Sequence, residues 1–135
     1  MTSEREPMSP SPGVFHDDLA RLDLTESQAV IYDQPIGVRL LHRDPSSGAE
    51  HSLIRYPAGL RAKCHRHSAA HTIVVVEGAL LADGLLLPAG SYAHFPAGTV
   101  MHHEPAPGQD CLFVILFDGP FDVVPVDKDA NDGSE

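Results

Sequence analysis

The chain contains no tryptophan, only two cysteines, and far fewer basic than acidic residues. Nine Lys and Arg residues stand against 19 Asp and Glu, which gives a formal net charge of −10 over 135 residues. This balance argues against nucleic-acid binding and against docking on anionic lipid, because both require a basic surface. Two cysteines are too few for a disulfide framework, so we expect Cys64 and Cys111 to be reduced thiols.

Long hydrophobic runs are also missing. The longest apolar stretches are residues 73–76, 85–87 and 111–117, whereas a membrane-spanning helix needs about 20 apolar residues. The N-terminal segment has charged residues at positions 4–6, three prolines and no apolar core. That is not the pattern of a signal peptide. We therefore expect a cytoplasmic protein without a membrane partner.

Histidine, in contrast, is abundant, and its spacing is informative. Three of the nine histidines lie in Gly59-x5-His65-x-His67-x3-His71-x6-Gly78. Neutral imidazole is the commonest metal ligand at physiological pH. Residues i and i+2 point to the same face of a β-strand, so His65 and His67 can bind one ion together. His71 follows a short turn and can reach the same ion from the next strand.

A second motif follows about thirty residues later. It has glycine and proline at regular positions and ends in two histidines: Gly90-x5-Pro96-x-Gly98, leading into Met101, His102 and His103. A histidine from this distant segment would complete a four-histidine metal site. His102 and His103 are both candidates, since only one of two consecutive strand residues can face a given side of the strand.

Turn signals divide the chain into short segments of strand character. The predicted strands are residues 29–32, 37–43, 49–56, 60–67, 72–77, 79–87 (a hairpin turning at Asp83-Gly84), 91–95, 100–104 and 111–117, with a short helical turn within 15–23. This regular series predicts an all-β sandwich or barrel. We expect one domain over residues 14–124, a flexible segment at 1–13 and an acidic flexible tail at 125–135.

These motifs resemble those of the cupin superfamily. Its first motif is similar to Gly-x5-His-x-His-x3,4-Glu-x6-Gly, and its second to Gly-x5-Pro-x-Gly-x2-His. Every spacing of the first motif fits, but His71 stands where the family has Glu. In the second motif, Met101 occupies the histidine position and His102 comes one residue later. The resemblance covers about half of the chain, roughly residues 52–117.

The resemblance implies an antiparallel jelly-roll barrel with one divalent transition metal ion. The implied ligands are His65, His67, His71 and His102, the last because it is nearest to the family position, with His103 as the competing fourth ligand. Iron is the leading metal, with manganese, zinc, nickel and copper as alternatives. Cupins commonly pair through an added N-terminal strand, so the resemblance also implies a homodimer in which residues 29–32 are exchanged or paired.

Four neutral ligands leave the full charge of the ion in the site, which favours a small anionic chelating or enolisable substrate. The resemblance therefore implies a dioxygenase-like oxygenase. A metal-dependent isomerase, cyclase or decarboxylase, and a non-catalytic metal-binding sensor similar to the cupin domains of certain anti-sigma factors, are the alternatives. Tyr56, Tyr92 and His94 are candidate proton donors.

Overall fold

The computed structural model describes residues 18–126. The predicted flexible segment at 1–13 and residues 127–135 of the predicted acidic tail lie outside the described residues. Within residues 18–126 the chain is built from short strands: β1 (Thr25–Ser27), β2 (Ile36–Arg43), β3 (Glu50–Tyr56), β4 (His65–Arg66), β5 (His71–Glu77), β6 (Ala79–Ala82), β7 (Leu85–Pro88), β8 (Tyr92–Phe95), β9 (His103–Pro105), β10 (Cys111–Phe117) and β11 (Val124–Pro125).

The strands form one large and two small sheets, and every pairing is antiparallel. The large sheet has the order β1-β2-β3-β10-β5-β8, and the small sheets are β7-β6-β9 and β11-β4. The non-consecutive neighbours mean that the chain crosses between sheets rather than forming a simple meander. The predicted antiparallel jelly-roll fold is confirmed.

The apolar strand β10 organises the core. It pairs along its whole length with β3 on one side and with β5 on the other. The sequence left open which face of this strand points inward. Phe113, Ile115 and Phe117 face the core, where they pack with Ile73 and Val75 of β5. An apolar strand placed between two others buries both its backbone groups and one row of large side chains, which explains its central position.

The predicted hairpin at 79–87 is present, and the predicted strands 37–43 and 49–56 also form a hairpin. Strands β2 and β3 pair across the turn that begins at Asp44, with a bulge between Leu40 and His42. Strands β6 and β7 pair across Asp83 and Gly84, which have φ angles of 49° and 84°. Two consecutive residues with positive φ form the tight turn that Asp-Gly favours, because its twist matches that of the flanking strands.

Two predicted strands differ from the structure. Residues 29–32 form a turn, closed by the bond from Tyr32 N to Ala29 O, rather than the predicted strand. The first strand of the large sheet lies earlier, at Thr25–Ser27. Of the predicted strand 60–67, only His65–Arg66 forms a strand, while Leu60 closes a turn with Pro57 and Ala62 forms an isolated bridge with Tyr32. Periodicity alone does not detect such turns.

At the two ends of the described region, one prediction agrees with the structure and one differs from it. The helical turn expected within 15–23 is a short 3-10 helix at Leu19–Arg21, begun by the bond from Ala20 N to the Asp18 side chain. No helix of residues 18–126 is long and apolar enough to cross a membrane. Pro125 pairs with β4 and Val126 N donates to Cys64 O, so the first residues of the predicted tail belong to the barrel.

Gly78, the last glycine of the first motif, provides a stability test. Its φ is +73°, and an added Cβ would lie 2.1 Å from the carbonyl oxygen of Asp110. Gly84 has a similar φ of +84°, but no atom lies within 4 Å of its added Cβ. We expect Gly84→Ala to cost about 1–2 kcal/mol from backbone strain alone. Gly78→Ala should cost at least about 2 kcal/mol more, because backbone must move.

Urea unfolding of the two variants measures this difference. Equal losses of unfolding free energy in Gly78→Ala and Gly84→Ala would contradict the close backbone contact between Gly78 and Asp110.

Candidate metal centre and cavity

His65 in β4 and His67 just after it both turn their side chains inward. His65 and His67 are 0% and 4% exposed, whereas Arg66 between them is exposed. Each ring is held by a backbone carbonyl. His65 Nδ1 lies 3.0 Å from Lys63 O, and His67 Nδ1 bonds to Asp122 O. A carbonyl only accepts, so Nδ1 carries the proton in both rings and Nε2 has a free lone pair.

Asp122 is itself fixed against β4. Its side-chain oxygens accept bonds from Ser68 N at 2.8 Å and from Ser68 Oγ. These bonds lower the pKa of the Asp122 carboxyl, and Arg66 and His67 contribute further. The chain segment after β10 is thereby placed so that a main-chain carbonyl orients a buried imidazole, which is a common arrangement around metal-ligating histidines.

His71 is the first residue of β5 and is fully buried. Its ring stacks on Phe95 with centroids 4.8 Å apart and planes 10° from parallel, and it also contacts Phe117 at 5.0 Å. Neither of its nitrogens has a hydrogen-bond partner. Aromatic packing therefore orients this ring, while both nitrogens stay available. A buried polar atom without a partner is costly and requires an explanation.

The structure brings His103, and not His102, to the other three histidines. Met101 is buried and forms an antiparallel bridge with His65, so the inward face of this segment carries residues 101 and 103. His103 is 2% exposed. His102 points the other way, with its Nδ1 3.0 Å from Asp83 Oδ1 and its side chain one-third exposed. The prediction that His102 joins the other three histidines is therefore corrected: His103 takes that place.

The reason for the correction is strand parity. Reaching the site with His102 would require a bulge or a longer turn after Gly98. Instead, the bridge at His65 continues the regular alternation through Met101 to His103. Strand parity had identified His103 as the competing candidate. The spacing of the family motif favoured His102, which the structure places on the outward face.

The four buried rings form one cluster. His65 and His67 have ring centroids 4.9 Å apart, His67 and His71 4.8 Å, His65 and His103 5.5 Å, and His71 and His103 6.4 Å. Rings that bind one ion through nitrogens at about 2.1 Å have centroids roughly 4.5–6.5 Å apart. The observed separations fall in that range.

The donor atoms are not yet converged on one point. Within residues 18–126, no group of three or more His, Cys, Asp or Glu side chains has the arrangement of a metal site. The neighbouring rings meet nearly edge to face, at 81° and 82° for the two pairs that include His67. The four rings are neighbours, but within residues 18–126 their nitrogens do not stand at metal-ligand positions.

The residues themselves nevertheless suit a metal ion. In the part of the chain that the structure describes, the Nε2 atoms of all four rings are buried and have no hydrogen-bond partner: His65, His67, His71 and His103. Desolvation is the largest cause of a lowered pKa in each of these rings, and it brings that of His71 to about 3. Neutral imidazole is the form that binds metals, so four unpartnered, neutral rings fit a transition metal.

A cavity of about 320 Å³ lies beside the cluster. His67 and His103 contribute to its wall. Most of the remaining lining is apolar and comes from the inward rows of β2, β3 and β10: Ile36, Val38, Ile54, Phe113, Ile115 and Phe117. Arg43 and Glu50 also line it and form an ion pair of 2.7 Å. This size and apolar lining are typical of small-molecule sites.

A larger groove of about 670 Å³ lies elsewhere and has a different character. It is open to solvent and is lined by Arg61, Lys63, Cys64 and His102, among others, but by none of the four clustered histidines. Its volume reflects its openness and not a built binding site. We therefore place the candidate site in the smaller, more enclosed cavity.

Two tyrosines connect the cavity to the cluster. The Tyr56 hydroxyl lies 2.7 Å from His103 Nδ1 and 2.7 Å from the Tyr32 hydroxyl, and both tyrosines line the cavity. Burial raises the pKa of Tyr32 to about 12 and raises that of Tyr56 well above its ordinary value, so both phenols keep their protons at neutral pH. Tyr56 was one of three predicted proton-donor candidates.

The other two candidates lie outside the cavity. Tyr92 is 70% exposed, and His94 is an exposed residue whose Nδ1 lies 3.0 Å from Thr72 Oγ1. Sequence reasoning missed Tyr32, because the segment around it was predicted as a strand. No motif marks this tyrosine, and only the turn at 29–32 brings it to Tyr56.

Comparison with solved structures reveals several similar folds at low sequence identity. A cupin-like protein from Thermotoga maritima has a TM-score of 0.70 and 18% identity, covering 81% of this chain and 90% of that one. An acetylacetone dioxygenase from Acinetobacter johnsonii has a TM-score of 0.69 and 18% identity, covering 96% and 87%. A polyketide cyclase from Streptomyces resistomycificus has a TM-score of 0.62 and 20% identity, covering 78% and 81%.

These likenesses show the fold, and a match to a family model shows the family. No curated protein matches the chain. The model described as the ChrR cupin-like domain matches residues 20–122, which include all four clustered histidines and both tyrosines of the cavity. The chain belongs to the ChrR cupin-like family of the cupin superfamily.

Proposed function

We propose that this protein is a metal-dependent cupin enzyme, an oxygenase that acts on a small chelating or enolisable substrate. The observation that carries the proposal is the set of four buried, neutral imidazoles whose Nε2 atoms lack partners. Two of these rings border an apolar cavity that is large enough for a small molecule. Buried nitrogens without partners are costly, and a bound metal ion would account for all four.

The proposed ligands are His65, His67, His71 and His103, holding one divalent transition metal ion. Imidazole suits iron, nickel, copper and zinc, and iron is the metal we propose because it supports oxygen chemistry, with manganese among the alternatives. When bound, the ion supplies Lewis-acid polarisation of substrate oxygens and, for iron, reaction with O₂. Because His71 replaces a carboxylate, no ligand charge offsets that of the ion, which favours an anionic substrate.

The remaining residues of the cavity would bind and orient the substrate. The apolar side chains of β2, β3 and β10 exclude water and accept the hydrocarbon part of a substrate. Low local polarity strengthens the attraction between an enolate and a cationic centre. The similar fold of an acetylacetone dioxygenase, whose name states a β-diketone substrate, supports this substrate class.

Two other functions are favoured by specific observations. The polyketide cyclase with a similar fold favours a cyclase, or a related isomerase or decarboxylase, that uses the same site without O₂. The match to the ChrR cupin-like family, and the resemblance to cupin domains of anti-sigma factors, favour a metal-binding sensor. Turnover of a substrate without O₂ would identify a cyclase, isomerase or decarboxylase. Tight zinc binding together with a protein partner, without turnover, would identify a sensor.

Metal binding should distinguish the two adjacent histidines. We expect His103→Ala and His65→Ala to lower metal affinity at least tenfold, because each removes a buried ligand. His102→Ala should leave affinity within about twofold, since its ring faces Asp83. Titration of the metal-free protein with Zn(II) and Fe(II), followed by metal analysis, measures this. A loss on replacing His102 without a loss on replacing His103 would overturn the assignment.

The proposed reaction is tested by oxygen uptake. We expect the Fe(II)-loaded protein to consume O₂ when given acetylacetone or a related β-diketone. His71→Glu restores a carboxylate at this position and lowers the charge of the site by one. This variant should retain metal but bind the anionic substrate more weakly, raising KM several-fold. Absence of uptake with every β-diketone tried, in metal-loaded protein, would count against the oxygenase.

We also propose that the protein is a homodimer. Among the described residues, strand β1 is the outer strand of the large sheet and pairs only with β2, and all three of its residues are exposed. An open strand edge favours pairing with a second chain. This replaces residues 29–32, which form a turn, as the expected pairing element. Light scattering at micromolar concentration should give twice the chain mass, and a monomer would refute the dimer.

A further inference from the structure

We propose that Tyr32 is a substrate-binding residue, whose hydroxyl donates a hydrogen bond to an oxygen of the ligand in the cavity once His103 binds metal. The inference rests on the proposed function and deepens it, since it specifies how the cavity recognises an oxyanion. It starts from the chain of two hydrogen bonds, each 2.7 Å, that joins Tyr32, Tyr56 and the His103 ring.

The direction of these bonds follows from counting protons. Each phenol has one proton, and the neutral imidazole has one proton that is on either Nδ1 or Nε2. With the proton on His103 Nε2, the bare Nδ1 must accept from Tyr56. Tyr56 has then used its only proton, so Tyr32 must donate to Tyr56. In this arrangement Tyr32 has no proton left for a ligand.

Metal binding through Nε2 requires the opposite arrangement. The proton of His103 then lies on Nδ1 and is donated to the Tyr56 oxygen. Tyr56 is fully buried, and among residues 18–126 its hydroxyl has hydrogen-bond contacts only with His103 and Tyr32. Its own proton is therefore donated to Tyr32, because leaving it unpaired in the core would be costly. The Tyr32 oxygen accepts this bond, so the Tyr32 hydroxyl keeps its proton and can donate it to another acceptor.

The Tyr32 hydroxyl can donate this hydrogen bond into the cavity. Tyr32 is partly buried and lines the same cavity as His67 and His103. Its hydroxyl is a neutral donor among mainly apolar walls, where a bond to an anionic oxygen is strong. The geometry thus points to a ligand with at least two oxygens, one of which binds Tyr32 while the other lies near the histidine cluster. Enolates of β-dicarbonyl compounds belong to this class.

The arrangement also couples the two binding events. Metal binding reverses donor and acceptor in the two hydrogen bonds, so that Tyr32 can donate into the cavity. A ligand that accepts from Tyr32 stabilises the same arrangement. By linkage, the ligand should therefore tighten metal binding as much as the metal tightens ligand binding. Tyr56 is a positioning residue in this scheme, since it acts on the ligand only through Tyr32 and on the metal only through His103.

Binding measurements on zinc-loaded full-length protein test the proposal without oxygen chemistry. The probe is acetylacetone, titrated calorimetrically. We expect Tyr32→Phe to weaken probe binding about tenfold to a hundredfold, as for loss of a bond to a charged group. Zinc affinity without the probe should fall about tenfold, because Tyr56 loses the acceptor for its proton, so the probe is titrated at saturating zinc. The matched control is Tyr92→Phe, at the exposed third tyrosine, which should change neither.

A spectroscopic readout tests the direction of the bonds. Nitrogen-15 NMR of histidine-labelled protein should show His103 protonated on Nδ1 when zinc is bound, in wild type and in Tyr32→Phe. Tyr56→Phe removes the acceptor for this proton and should lower zinc affinity at least tenfold, as loss of an outer partner of a ligating histidine does.

Each outcome bears on one of the two proposals. Equal probe binding by wild type and Tyr32→Phe overturns the role of Tyr32 while leaving the metal site intact. Protonation of His103 on Nε2 with zinc bound also overturns it. If the wild-type protein binds no zinc, or binds zinc but no acetylacetone, the proposed function fails and this inference fails with it.

Discussion

The hydrogen bonds at Nδ1 of the buried histidines are the constraint on which the site depends. Lys63 O and Asp122 O accept from His65 and His67, and the Tyr56 hydroxyl contacts His103. Acceptors on this side of a ring leave the opposite nitrogen bare. For His65 and His67 the carbonyl acceptors therefore leave Nε2 as a lone pair, and among residues 18–126 the Nε2 atoms of all four rings have no hydrogen-bond partner. Much of the local structure serves this arrangement, including the Asp122 contacts with Ser68.

The sequence was sufficient for the fold and for three of the four clustered histidines. Alternating strands and an Asp-Gly turn predicted the hairpins, and β10 has the predicted bounds. The His-x-His pair predicted a shared inward face, because parity on a strand is a local property. His71 followed from spacing, since it begins the next strand. These features depend on a few neighbouring residues, and local physics is enough to predict them.

The remainder depends on contacts between distant segments. Choosing His103 over His102 required the bridge between Met101 and His65, which pairs strands about thirty-five residues apart. Tyr32 reaches Tyr56 only because residues 29–32 turn, and nothing in their composition distinguishes that turn from a short strand. The bond that orients His67 comes from Asp122, in a segment whose place beside β4 is set by tertiary packing. No periodic pattern encodes such contacts.

The burial of four uncharged imidazoles also makes folding an acid-sensitive equilibrium. In the unfolded chain these histidines take up protons below about pH 6.5. In the folded chain, desolvation lowers their pKa values, to about 3 for His71. The unfolded state therefore binds more protons than the native state as the pH falls through this window, and stability declines with it. The full contribution of these histidines to stability is present above about pH 6.5. An ion bound to the four nitrogens would stabilise the folded state, whereas protons bound by the same histidines stabilise the unfolded state. Acidification and metal loss would then act on this barrel as a single perturbation.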